Sequence, residues 1–395
     1  MDDTSELRLE LTRVPSAGGV GSRRHNGRSK LHPAQRGSAL ALDLGDLADV
    51  RKFQEASVAA NTRRGFEMDW ATFTAWCRER SVDELPAHPL TVASHLSWMA
   101  NLLDEHGDPF YAPGTIARRL ASINKAHVYA GHPKPGEHID VAATIAGIKR
   151  ERSRPTDRKT PLLVSDLKNT VALIDQNSWP AGVIGHRDAA ILVMGLAGAF
   201  RRSEIAGLRI RDVRRHPEDG LVVTLAKSKT DQEGVGMVKG LPFGVSPFVC
   251  PPCAFARWVR VLVAAERGRA DLMRTVRLSP TGTHICREPL PELAELPATA
   301  PLFRPVTKHG TITPRHIGGQ TVNDMLQRRV EAAGYNGAEF GGHSLRAGFI
   351  TQAFREGATH HEVMRQSGHK DVGSVEVYSR ERDPLRHNAV TKLGL

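Results

Sequence analysis

The sequence predicts a mainly α-helical protein with a small antiparallel β-sheet, organised as two domains. Three observations predict this. Apolar residues recur at helical spacing through 46–147 with no strand pattern among them. One β-like run, 221–225 (LVVTL), follows the turn Pro217–Gly220, and 235–239 is its candidate hairpin partner. A charged stretch, 149–161 (KRERSRPTDRKTP), holds six Lys/Arg, two acidic residues and two prolines with no apolar residue, which marks a domain boundary.

Residues 1–45, rich in Gly, Ser, Arg and His as far as Gly37, are expected to form a disordered basic arm. The helical domain is expected at 46–148. One helix runs from Asp46 to about Ala60. The next runs from Asn61 through Trp76, with Phe66, Trp70 and Phe73 at helical spacing. Pro86 and Pro89 break the chain. Thr91 is the expected cap of a helix bearing Val92, Leu96 and Met99, and Thr115 of one bearing Ile116, Leu120 and Ile123. Residues 139–149 close this domain. Its basic residues Arg63, Arg64, Arg118, Arg119 and Lys125 are expected on the surface as contacts to a polyanion, joined by Lys149, Arg150, Arg152 and Arg154 of the linker at 149–161. The second domain is expected at 162–395. Ser165 caps a helix to about Gln176, and 187–200 (RDAAILVMGLAGAF) reads as a buried helix. After the hairpin, helices are expected at about 252–266, 316–333, 343–356, 360–367 and 371–379, with His360-His361 as an exposed helix start. The Pro-rich stretch 279–301 reads as a long irregular insertion.

Composition narrows the function. The chain has 395 residues, 40% hydrophobic and 25% charged, which fits a globular protein of about two or three domains. It lacks an apolar run of about 18 residues, which speaks against a membrane-spanning helix. The N-terminus (MDDTSELRLELTRVPS) has no apolar core of the secretory kind. Four scattered cysteines, Cys77, Cys250, Cys253 and Cys286, fit a reducing cytoplasm. The formal charge is +11, from 54 Lys+Arg against 43 Asp+Glu, and nucleic acid is the commonest polyanionic partner of such a protein.

Four short motifs carry candidate chemistry. Residues 201–205 read Arg-Arg-Ser-Glu-Ile at the end of the apolar helix, with Glu204 on the same face as Arg201. Residues 227–230 read Lys-Ser-Lys-Thr at a hairpin tip, where an ammonium reaches a phosphate or a leaving oxygen. Residues 343–346 read His-Ser-Leu-Arg, so His343 and Arg346 share a helical face that offers a proton carrier and a planar cation. In 367–378, Gly368 ends a helix, His369 sits at the break and Tyr378 follows nine residues later. Singly, each has an ordinary structural explanation. Together, Arg201, Lys229, His343, Arg346 and His369 are donors suited to the extra negative charge of a pentavalent phosphorus, and Tyr378 is a hydroxyl nucleophile. Two guanidinium groups can stand in for a metal cation, and no Asp/Glu cluster of the two-metal kind is present, so neither metal nor cofactor is expected.

This order and spacing resembles the tyrosine recombinase (phage integrase) family, Cre- and Xer-like. The family's Arg…Lys…His-x-x-Arg…His/Trp…Tyr pattern falls on Arg201, Lys229, His343, Arg346, His369 and Tyr378. Its acidic residue falls on Glu204, and its glycine before the last histidine on Gly368. The likeness covers about 160–385 and extends more loosely over 46–150, which is similar to the family's helical core-binding domain. The chain departs from the pattern in three places. The first arginine is doubled, leaving Arg202 as the alternative to Arg201. Ala199-Phe200 stands where a Gly-Leu or Gly-Met pair is common. The interval from Lys229 to His343 is long, leaving Lys227 as the alternative to Lys229.

The resemblance implies a catalytic domain with a C-terminal tail that breaks and rejoins duplex DNA. Tyr378 would form a 3′-phosphotyrosyl bond, and a homotetramer on two synapsed sites would exchange strands through a Holliday junction. The rival readings are a type IB topoisomerase-like relaxing enzyme and a DNA-binding relative that has lost catalysis. Cys250-Pro-Pro-Cys253 has the spacing of half a zinc knuckle, but no second pair with suitable spacing follows. With only His284 and Cys286 nearby, the cysteines read as apolar packing at a helix start.

Overall fold

The structure is a computed structural model that describes residues 60–153, 158–225 and 236–380, with positions 49–50, 52–53, 57–58, 390 and 393. The expected arm at 1–45, Arg154, Lys227, Lys229 and nearly all of the tail after Arg380 lie outside the described residues. The chain divides into two compact units, Met1–Thr156 and Asp157–Leu395.

The first unit is helical: α1 (Ala60–Glu79), α2 (Pro89–Asn101), α3 (Pro113–Tyr129) and α4 (Ile139–Arg152). Phe73, Trp76, Val92, Leu96, Met99, Ile116, Ile123 and Val141 form its core, which is the apolar period of the sequence turned inward. Thr91 and Thr115 are not caps. Pro89 and Pro113 open their helices two residues earlier, because the fixed φ of proline suits the first helical position and its missing N–H leaves no donor unpaired there. Beneath this core Asp69 is a buried carboxylate, paired with Arg118 and Arg119 and accepting from Ser122 Oγ at 2.9 Å. Helix α4 continues to Arg152, so Lys149, Arg150 and Arg152 are helical rather than part of a linker.

The second unit opens with 160–162 bonded to its own core: Thr160 N–H donates to Glu339 O at 2.7 Å and Leu162 N–H to Ser344 O at 3.0 Å. The segment between the units is therefore shorter than 149–161. Then come α5 (Val164–Ala172), α6 (Ala181–Ala197) and the short α7 (Arg202–Ala206). Ser165 lies inside α5; Asp166 Oδ2 accepts the Leu163 N–H at 2.9 Å and does the capping. Helix α6 stops at Ala197, so 201–205 do not close it but form a separate turn of helix. Strands β1 (Val213–His216), β2 (Gly220–Leu225) and β3 (Met237–Pro242) make one antiparallel sheet in the order β1-β2-β3, with Val223 paired to both Val213 and Lys239. Strand β1 was not anticipated, because Val-Arg-Arg-His carries only one apolar residue.

Helices α8 (Pro251–Arg267), α9 (Arg269–Arg277), α10 (Gly319–Ala332), α11 (Ser344–Arg355), α12 (His360–Ser367) and α13 (Gly373–Arg380) follow. Helices α6 and α8 pack at the centre of the core. Asp188 of α6, fully buried, accepts from Arg187, Arg328 and Arg329 at 2.7–3.0 Å and ties α10 to α6. Gly348 lets α11 pass the Leu162 carbonyl, which a Cβ would strike. The stretch 279–301 is irregular as expected, with one 3-10 turn at Pro291–Glu295. Its end returns to the core, where Ile210 N–H donates to Ala300 O. A satellite core of Ile350, Val363 and Val375 joins α11, α12 and α13, with Tyr378 packed against it. Among the described residues no helix is long and apolar enough to cross a membrane.

Candidate active site

A tight turn between α6 and α7 aims the first arginine. Ala199 has φ +47°, an uncommon value outside glycine, and a Cβ at Gly198 would collide with the Phe200 ring. Arg201 then sits at the N-cap of α7. Its N–H donates to Glu204 Oε2 at 3.0 Å, and its Nη1 donates to Glu204 Oε1 at 2.6 Å. The buried carboxylate grips the arginine at both ends. Arg202 is exposed and lies over Gly319 and Gly342, so the geometry separates the two arginines: Arg201 faces the cluster and Arg202 does not.

Across from this turn, His343 precedes α11 and Arg346 lies in its first turn. Arg346 is buried; its Nη1 donates to Ala199 O at 2.9 Å, and its Nη2 lies 3.1 Å from Nε2 of His369. His369 follows Gly368, which ends α12 in the left-handed conformation. Its Nδ1 is 2.8 Å from Ser367 Oγ. Tyr378 Oη is 2.6 Å from His343 Nε2, within hydrogen-bond distance. Five of the six motif positions and Glu204 thus come together; Lys229 lies outside the described residues.

The cluster is cationic and partly dehydrated. Burial, followed by the charges of Arg346, Arg201 and Arg158, holds His343 below its ordinary pKa near 6.5. Burial, then the charges of Arg346 and Arg201, push His369 down to about 4. Burial and then Arg201 bring Arg346 down to about 10. Both imidazoles are neutral at pH 7, and the surplus positive charge suits an anion. A cleft of ≈ 190 Å³ opens beside Tyr378 and His343, lined also by Arg158, Lys159 and Thr351.

One buried cation escaped the sequence reading. Lys239 of β3 is fully buried; its Nζ donates to Gly198 O at 2.8 Å and Gln366 O at 2.6 Å, and lies 5.1 Å from the Phe200 ring centre. Burial pushes its pKa down to about 7, with Glu204 opposing and Arg346 and Arg201 reinforcing the shift. The legible signal was phase. Lys239 shares the inward face of the strand with Leu241.

The basic residues of the first unit divide. Lys149 and Arg150 are exposed, and so is Arg64; Arg63 is half-buried, and Arg152 is half-buried with Nη2 3.3 Å from Asn101 Oδ1. Arg119, expected on the surface, is mostly buried because it pairs with Asp69 at 3.6 Å and stacks 4.3 Å from the Tyr111 ring centre. Arg118 is exposed but also engaged by Asp69, and Lys125 lies over the Phe66 ring at 4.3 Å. Elsewhere, the ligand atoms of Cys250, Cys253, His284 and Cys286 come within 4.8 Å of one another; the second pair missing from the sequence pattern is supplied by the fold.

Comparison with known proteins gives a consistent picture. The model of the phage integrase family matches residues 303–384, a segment that contains His343, Arg346, His369 and Tyr378. The chain is 27% identical over 342 residues to the integrase/recombinase XerD homolog of Selenomonas ruminantium, covering 86% of this chain and 87% of the relative. It is 24% identical over 317 residues to recombinase Cre of Escherichia phage P1, covering 79% and 81%. Among solved structures, the Tn1549 transposon integrase in complex with transposon right end DNA aligns with TM-score 0.51 at 15% identity, over 88% of this chain and 97% of that one. A lambda integrase dimer bound to a COC′ core site aligns with TM-score 0.50 at 15% identity, over 88% and 100%. The fold is that of these integrases, and residues 303–384 match the phage integrase family model.

Proposed function

We propose that the protein is a site-specific DNA recombinase that cleaves and rejoins duplex DNA through Tyr378. The observation that carries this reading is the 2.6 Å contact between Tyr378 Oη and a neutral His343, set beside Arg201, Arg346 and His369. His343 Nε2 takes the phenolic proton as Oη attacks the scissile phosphorus. The forks of Arg201 and Arg346 hold the non-bridging oxygens, where their planar donors suit the developing charge. The bond from phosphorus to the 5′ oxygen breaks, that oxygen receives a proton from Lys229, and a 3′-phosphotyrosyl link remains. Its energy suffices for religation, so no nucleotide cofactor enters. Lys239 is a positioning residue: it braces Gly198 O while Arg346 braces Ala199 O, and both fix the turn that aims Arg201. Two solved structures of the same fold are complexes with DNA, which supports DNA sites as the partner; the working assembly we propose is a homotetramer on two synapsed sites in the cytoplasm.

Tyr378→Phe tests the reading. The variant is expected to bind DNA normally and to form no covalent complex on nicked suicide DNA. Trapping of the Phe variant would reject Tyr378 as nucleophile.

A further inference from the structure

We infer that Cys250, Cys253, His284 and Cys286 form a structural zinc site that pins the irregular stretch 279–301 to the start of α8. These four are the complement of a closed tetrahedral site, and their ligand atoms lie within 4.8 Å of one another. Bond lengths of about 2.3 Å to sulfur and about 2.0–2.1 Å to nitrogen place a sulfur and a nitrogen about 3.6 Å apart around a tetrahedral zinc. Cys253 Sγ is 3.4 Å and Cys286 Sγ 3.7 Å from Nδ1 of His284.

The surroundings prepare the ligands. His284 Nε2 lies 3.1 Å from Val245 O, and a carbonyl can only accept, so the ring proton belongs on Nε2 and the lone pair on Nδ1 faces the sulfurs. Two sulfurs accept backbone N–H groups, Cys250 from Gly244 at 3.2 Å and Cys253 from Ile285 at 3.4 Å, as thiolates at a metal do. Gly244 is required for that approach, since a Cβ there would strike Cys250. The three cysteines are buried and His284 is exposed, which leaves one open side for metal entry. On binding, each thiol releases its proton to solvent.

The site has a mechanical purpose. The stretch from Ser279 to Cys286 has no regular backbone ladder of its own. Instead Arg257 of α8 donates to the carbonyls of Pro280, Thr281 and Thr283. A metal between Cys250-Cys253 and His284-Cys286 would close the loop that contains α8 and α9. Closing that loop restricts the unfolded chain, and metal binding adds to the folding free energy of a segment that lacks secondary structure. Cys77, in the other unit, takes no part.

The test uses the full chain, grown with zinc and freed of any affinity tag. Elemental analysis is expected to find about one zinc per chain. Cobalt(II) added to reduced, stripped protein should give the visible bands of a tetrahedral site with thiolate charge transfer. Chelation should lower Tm. Cys253→Ser should lose the metal and the cobalt spectrum. Should Cys253→Ser fail to fold, His284→Ala, at an exposed position, gives the same reading, while His284→Cys should retain the metal. Metal-free wild-type protein with no cobalt spectrum would overturn the assignment. So would metal content unchanged in both Cys253→Ser and His284→Ala, or a disulfide between Cys250 and Cys253 in freshly prepared protein. DNA cleavage is not the readout, so failure here leaves the recombinase reading untouched.

Discussion

Lys239→Met tests whether the wall behind the arginines is uncharged in the free protein. Lys239 is fully buried, and its pKa falls from 10.5 to about 7. At pH 7 to 9 the unfolded chain holds this proton, whereas the folded chain holds it about half the time at pH 7 and hardly at all at pH 9. The folded pKa is depressed, so stability from this group is complete above the unfolded value of 10.5 and is lost as pH falls toward 7. A one-proton difference gives a slope of up to about 1.36 kcal/mol per pH unit. Integrated between pH 7 and pH 9, with the lower limit at the folded pKa, it gives about 2 kcal/mol. Wild type and Lys239→Met share every other titrating group, so the difference between their denaturant-unfolding curves at pH 7, 8 and 9 isolates this one. Wild type should gain about 2 kcal/mol more than the variant over that range. At pH 9 the variant should be the less stable, because Gly198 O and Gln366 O lose their donor, at about 1–3 kcal/mol each. Parallel pH dependences would show that the lysine keeps its proton in the fold and would refute the argument.

Three further outcomes follow from the site. Arg201→Ala should slow single-turnover cleavage by about 100- to 1000-fold, whereas Arg202→Ala, whose side chain lies outside the cluster, should retain most activity; a larger loss at Arg202 would reverse the assignment. In the proposed mechanism His343 accepts the phenolic proton and must be neutral, and its pKa is depressed, so the cleavage rate should fall only once pH drops below the ordinary histidine range near 6.5, and an acid limb centred above that value would count against it. DNA affinity should fall steeply with salt, by about 0.9 log units per log unit of salt for each phosphate neutralised; a flat titration would remove the basic residues of α4 from the interface.

Helix periodicity made the first unit readable because each helix buries one stripe, Phe73 and Trp76 on α1 or Ile116 and Ile123 on α3. The hairpin was readable from Val222–Val223 and the preceding turn. Strand β1 was not, since an edge strand with one inward side needs little apolar content. The caps were misread at Thr91 and Thr115 because two signals competed and proline prevailed. The motif positions stood out through order and residue type. What brings them together, the φ-positive turn at Ala199 and the grip of Glu204 on Arg201, depends on contacts between distant segments and has no local pattern. The same holds for Lys239, and for His284 and Cys286, which a loop carries to Cys250 and Cys253 across two helices.

Helix α13 has eight residues and, among those whose side chains are described, one that is fully buried, Val375. A helix that short does not persist in water by itself and depends on its seat against Ile350 and Val363. Undocking it exposes Val375 and the packed Tyr378 ring and breaks the contact with His343, less than unfolding the α6–α8 core would cost. Arg201, Lys239 and Arg346 are anchored elsewhere, on α7, β3 and α11. The tyrosine is thus a detachable blade on a permanent handle. If Tyr378 is the nucleophile, whatever presses α13 home would decide when the site is complete.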